Sequence, residues 1–149
     1  MKSFMLALFF IPSIVLACPN ITGVYKTCHS EIKPMKGEFK IDQSLVGGVE
    51  KYEIQYTSDV GDIQNQEIYT DGRLLKTKQT IPTIGIKVNV EGNAICDGET
   101  VISNGKAFLF GINVGNYSTI LSREGDILVM KVKAQYLGQT VLKLIECKY

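Results

Sequence analysis

The chain has no tryptophan, one histidine and four prolines among its 149 residues. With His29 as the sole imidazole, a Ser–His or Cys–His relay has one candidate base, and no Gly-x-Ser-x-Gly elbow offers it a nucleophile. Ser30 is its neighbour in sequence only, which does not set a hydroxyl on a base. No two cysteines are spaced C-x-x-C, and His29 beside Cys28 lacks a second ligand at finger spacing, which argues against zinc. His29 reads as a surface-loop histidine. An excess of one charge is also missing: 16 Lys plus Arg face 15 Asp plus Glu, for a formal net charge of +1. The basic residues form no stripe interleaved with aromatics, so no nucleic-acid partner is expected, and nothing supports steering of an acidic substrate.

Long apolar runs are missing after the start of the chain. Lys2 precedes an apolar run from Phe4 to Leu16, broken by Pro12 and Ser13 and ending at Ala17. It is shorter than the roughly 20 residues a membrane span needs, and Val15 and Ala17 suit the −3 and −1 positions of a secretory signal peptide. The reading is a leader over 1–17 and one exported domain over 18–149. Cleavage after Ala17 makes Cys18 the first mature residue, and two readings follow. Cys18 is half of a disulfide, or it carries the acyl groups of a bacterial lipoprotein, whose lipobox this chain resembles in part; Val15 and bulky Leu16 stand where Leu and a small residue are usual. In the second case the protein is anchored to a membrane, and otherwise no membrane contact is expected.

What is present points the same way. Cys18, Cys28, Cys96 and Cys147 fit an oxidising compartment, where disulfides persist. Four cysteines allow three connectivities, and closeness in sequence favours Cys18 with Cys28 and Cys96 with Cys147. The sequons Asn20-Ile21-Thr22 and Asn116-Tyr117-Ser118 matter only in a eukaryotic secretory pathway.

Period-two patterning dominates 18–149. Phe39, Ile41 and Leu45 alternate with Glu38, Lys40, Asp42 and Ser44, and Tyr52, Ile54 and Tyr56 with Lys51, Glu53, Gln55 and Thr57. Ile84, Ile86, Val88 and Val90 alternate with polar neighbours, as do Met130, Val132, Ala134 and Tyr136. Such alternation gives a strand one apolar and one wet face. Between these segments lie turn pairs that accept positive φ: Gly47-Gly48, Asp71-Gly72, Gly92-Asn93, Asp97-Gly98, Asn104-Gly105, Gly115-Asn116, Gly125-Asp126 and Gly138-Gln139. Asn104-Gly105 is the firmest hairpin. Nothing after the leader repeats apolar residues at helical spacing between caps; "HSEIKPMK" (29–36) reads as a loop or at most one helical turn. The spacing of the turns leaves no room for βαβ crossovers.

The pattern predicts an all-β antiparallel meander of about eight to ten strands that curls until its first and last strands pair, closing into a barrel. A β-sandwich with Greek-key crossings is the alternative, kept alive by the loop "TSDVGDIQNQ" (57–66). That loop's Asp59 and Asp62 with Glu67 could gather oxygens around Ca²⁺, but without the ligand spacing of an EF-hand they read as solvated, and neither metal nor cofactor is expected.

The opening "CPNITGVYKTC", with "IYTDGR", "AICDGE" and the closing "LIECKY", resembles small exported bacterial proteins of lipocalin-like (calycin-like) character. Gly23-Val24-Tyr25 stands where lipocalins carry Gly-x-Trp. The resemblance implies a barrel around a cavity for an apolar ligand and implies no chemistry. The inward-pointing candidates for a cavity lining are Phe39, Ile41, Leu45, Tyr52, Ile54, Tyr56, Ile86, Val88, Val90, Phe108, Phe110, Met130, Val132 and Tyr136. Tyr52, Tyr56 and Tyr136 would orient a ligand through their hydroxyls. The functional expectation is a monomeric, non-enzymatic binder of a small apolar molecule, or alternatively a filled barrel serving as an envelope structural or protein-interaction module.

Overall fold

The computed structural model describes residues 18–30, 35–81, 86–136 and 138–149; the expected leader over 1–17 and the middle of the 29–36 segment lie outside these. The described residues form ten strands and no helix: β1 (Gly23–Ser30), β2 (Met35–Val46), β3 (Val49–Ser58), β4 (Ile63–Tyr69), β5 (Leu75–Ile81), β6 (Ile86–Asp97), β7 (Thr100–Leu109), β8 (Ile112–Glu124), β9 (Ile127–Tyr136) and β10 (Gln139–Lys148). All pair antiparallel in one sheet of order β4-β3-β2-β1-β10-β9-β8-β7-β6-β5. The meander curls until β1 and β10 pair, with Thr27 opposite Lys148 and His29 opposite Glu146. The free edges are therefore in mid-chain, at β4 and β5. A bridge between Asp71 and Ile95, and a Gly72 N–H donated to the Ala94 carbonyl at 2.9 Å, tie the end of β4 to β6 and leave a nearly closed barrel with a seam between β4 and β5.

The disulfides differ from the pairing that sequence proximity favours. Cys28 is bonded to Cys147, and Cys18 to Cys96. A register shift between Tyr25 and Thr27 on β1 moves Cys28 onto the inner face, where it stands directly opposite Cys147 of β10 with Cα atoms 4.0 Å apart. Cys18 lies ahead of β1, in a segment that crosses the barrel end and reaches Cys96 near the end of β6. In this structure the Cys18 sulfur is the disulfide half of the two expected alternatives.

Residues 18–22 plug one end of the barrel. Ile21 is fully buried, Tyr25 donates its hydroxyl to the Ile21 carbonyl at 2.9 Å, and Tyr52 donates to the Pro19 carbonyl at 2.7 Å. Around them pack Ile41, Val101, Leu121, Leu128 and Ile145, joined by the Cys28–Cys147 bridge. This end is solid core.

Three expected hairpin turns are strand interior instead. Gly92-Asn93, Asn104-Gly105 and Gly115-Asn116 lie within β6, β7 and β8. Gly92 is opposite Gly105, and Gly105 opposite Tyr117. A Cβ on Gly105 would come within 2.4 Å of the Tyr117 ring, and one on Gly92 within 2.5 Å of its hydroxyl. These glycines exist for the close approach of an aromatic ring to the sheet, a device that stiffens a glycine-weakened strand. Tyr56 covers Gly37 in the same way, and Tyr149 covers Gly23.

Candidate functional site

Away from the plugged end the side chains no longer meet across the barrel. A partly open cavity of about 230 Å³ remains. Its apolar wall comes from Phe39 (β2), Ile54 (β3), Ile68 (β4), Leu121 (β8), Met130 and Val132 (β9). Its polar wall comes from Gln66 (β4), Gln79 (β5), Ser103 (β7), Tyr117 and Thr119 (β8). Each projects inward because strand side chains alternate: the direct pairs Phe39–Tyr56, Tyr56–Gln64 and Ile54–Gln66 carry the inner face from β2 to β4, and Ser103–Thr119 and Thr119–Val132 carry it from β7 to β9.

The two walls divide by position. Gln66 and Gln79 belong to the edge strands, so the polar side faces the seam. A narrow hollow there is bounded by Leu75 and Thr77 of β5 and shares Gln66, Ile68, Ser103 and Tyr117 with the cavity. Tyr117 links the two. Burial raises the pKa of its hydroxyl, and the Ser103 hydroxyl offsets part of that rise. The phenol is a neutral donor and acceptor at any ordinary pH. The lining contains no carboxylate, lysine, arginine or histidine, so the cavity offers hydrogen bonds without charge. It can orient a neutral polar group against an apolar tail.

The sequence-based lining candidates separate into three groups. Phe39, Ile54, Met130 and Val132 line the cavity. Ile41 and Tyr52 sit in the solid plugged end, and Val88 and Val90 are buried on β6. Tyr52 uses its hydroxyl on Pro19, so it is not a ligand-orienting group there, and Tyr56 stacks on Phe39 with ring centroids 4.8 Å apart. Leu45, Ile86, Phe110 and Tyr136 are exposed, and Phe108 faces outward beside Asn89. Strand alternation continues past the ends of the barrel wall, so inward parity does not mean burial at the rim.

Sequence reading missed Gln66, Ile68, Gln79, Ser103, Tyr117, Thr119 and Leu121. The segment "NYSTILS" alternates two sets of mixed polarity, Tyr117-Thr119-Leu121 against Asn116-Ser118-Ile120, so no hydropathy contrast marks its inner face. The signal that could have found Tyr117 is the pair of mid-segment glycines that its ring needs.

Of the candidate metal loop, Asp59 and Asp62 lie in the β3–β4 connection, whereas Glu67 sits on β4 and pairs with Lys51 at 3.0 Å. No group of His, Cys, Asp and Glu among the described residues could hold a metal ion. His29 is on strand β1 rather than a loop, and exposed. No helix among the described residues is long and apolar enough to cross a membrane. Neither family models, curated proteins nor solved structures match the chain.

Proposed function

We propose that the barrel binds one small, uncharged amphiphilic molecule in the cavity between Phe39, Leu121 and Tyr117, in the manner of a lipocalin-like carrier working in an oxidising, extracytoplasmic compartment. The observation that supports this is the division of the lining: one apolar wall, one wall of amide and hydroxyl groups, and no ionic side chain. On the polar side Ser103 is buried and Gln66, Tyr117 and Thr119 are half-buried, and polar groups withdrawn from water cost free energy unless partnered. Its volume, below the roughly 300–1,000 Å³ of pockets for drug-sized ligands, sets a small ligand. The two disulfides and the leader-like start of the chain support export.

Thermal unfolding with medium-chain alkanols, alkyl amides and fatty acids of equal length tests the reading. Alcohols and amides are expected to raise Tm with saturation, through preferential binding to the folded state, and carboxylates to do so less. Tyr117→Phe should weaken binding about two- to tenfold, the worth of one hydrogen bond. Val132→Phe should abolish it by filling the site. No Tm shift with any of them would favour a filled barrel acting as a structural or interaction module.

A further inference from the structure

The barrel end opposite the plug carries an apolar tip that the interior does not use. At the β7–β8 turn Phe110 and Gly111 both have positive φ, 50° and 82°, as a two-residue type I′ turn requires. Asn is the favoured residue at the first of these positions, and a phenylalanine is strained there. Phe110 is also 94% exposed, so it costs stability twice, through its backbone and through its ring in water. Ile112, 69% exposed, follows it, and β8 runs past β9 because its first pairing there is Gly115 with Tyr136. Ile112 and Tyr136 border one hollow between the two hairpin tips, and Leu142 on β10, 66% exposed, adds to the same end.

In the four strands that carry this tip, the charges nearest it are of one sign. In β7–β10, every charged residue in the tip-side half is a lysine: Lys106, Lys133 and Lys143; on the adjacent β6, Glu91 stands opposite Lys106 and pairs with Lys76 at 2.7 Å. The carboxylates Glu99, Glu124, Asp126 and Glu146 lie at the plugged end of the same strands. Asp59 and Asp62 share the tip end but sit on the β3–β4 connection, diametrically across the barrel from β8 in the strand order. Lys106 and Lys133 are three or four residues below the tip, about 10 Å at the rise of a strand. Apolar side chains first, an amphipathic tyrosine next and cations about 10 Å deeper is the layering of a bilayer's acyl boundary and anionic headgroups.

We propose that the β7–β8 tip and the adjoining ends of β9 and β10 dock on an anionic phospholipid surface, with Phe110 and Ile112 inserted to the acyl boundary and the lysines on headgroup phosphates. This is independent of whether the cavity holds a ligand.

Flotation of the intact disulfide-bonded protein with vesicles is the test. Binding is expected to mixed phosphatidylglycerol–phosphatidylcholine vesicles, weaker to pure phosphatidylcholine, and falling steeply with salt. Phe110→Asn places the preferred residue in the turn, so it should raise Tm while lowering vesicle affinity about tenfold or more. Lys106→Glu with Lys133→Glu should remove the preference for anionic vesicles. Absence of binding to anionic vesicles at low salt, or binding that Phe110→Asn leaves unchanged, would overturn the proposal. Equal binding to neutral and anionic vesicles would overturn it as well.

Discussion

Buried tyrosines make the clearest predictions for single residues. Burial holds the hydroxyls of Tyr25 and Tyr52 above the ordinary phenol value, with a small opposing effect of the Arg123 charge on Tyr25. Unfolded tyrosine titrates near pH 10, so above that pH the unfolded chain gives up protons that the folded chain retains. Their contribution is complete below pH about 10 and is lost as pH rises through the higher folded values. Denaturation midpoints should therefore fall above pH 10, with tyrosinate absorbance appearing together with unfolding; a midpoint flat to pH 12 would count against buried hydroxyls at the plug. Gly105→Ala tests the aromatic cover. Its Cβ would meet the Tyr117 ring at 2.4 Å, so a loss of about 1–3 kcal/mol is expected in urea unfolding. Combining it with Tyr117→Leu should recover part of that loss, because the two residues share one contact.

At the scale of elements, the strands were legible where one face is apolar and the other wet, as along Tyr52-Ile54-Tyr56 and Met130-Val132-Ala134. The failures have physical reasons. Asn104-Gly105 has the composition of a turn, yet its glycine serves an aromatic ring on the next strand, a long-range demand that leaves no local trace. Phe110-Gly111 is a turn without turn composition, because the residue at its strained position is aromatic. The bulge at Lys26 shifts Cys28 to the inner face, and with it the disulfide pairing. Hydrogen exchange should follow the sheet order. Amides of β1 and β10, paired on both sides and bridged by Cys28–Cys147, are expected to exchange slowest, and the outer amides of the edge strands β4 and β5 fastest. Exposed Lys76 and Lys78 on β5 keep that edge from recruiting another strand. Slow exchange along β5 would mean that the seam is covered in solution.

The described part of the molecule is a curled sheet fastened where β1 meets β10 and plugged at that end by residues 18–22. The disulfides close separations of 119 and 78 residues, each worth roughly 4–5 kcal/mol if counted as lost chain entropy in the unfolded state. Replacing Cys28 and Cys147 by serine should cost roughly 3–5 kcal/mol and lower Tm more than any single surface substitution; an unchanged Tm would show that β1–β10 pairing closes the barrel unaided. The barrel and its closure by first and last strands could be read from alternation and turn spacing. The cavity could not, because its defining wall is polar and comes in part from edge strands whose position depends on where the sheet opens. The central claim is that this wall selects an uncharged amphiphile. Native mass spectrometry of the protein purified from its own source tests it most directly. One additional noncovalent mass, lost on denaturation and belonging to a neutral amphiphile, is the expected result. An empty protein that also takes up no alcohol or amide when these are supplied, or one that carries an ionic ligand in the cavity, would contradict it.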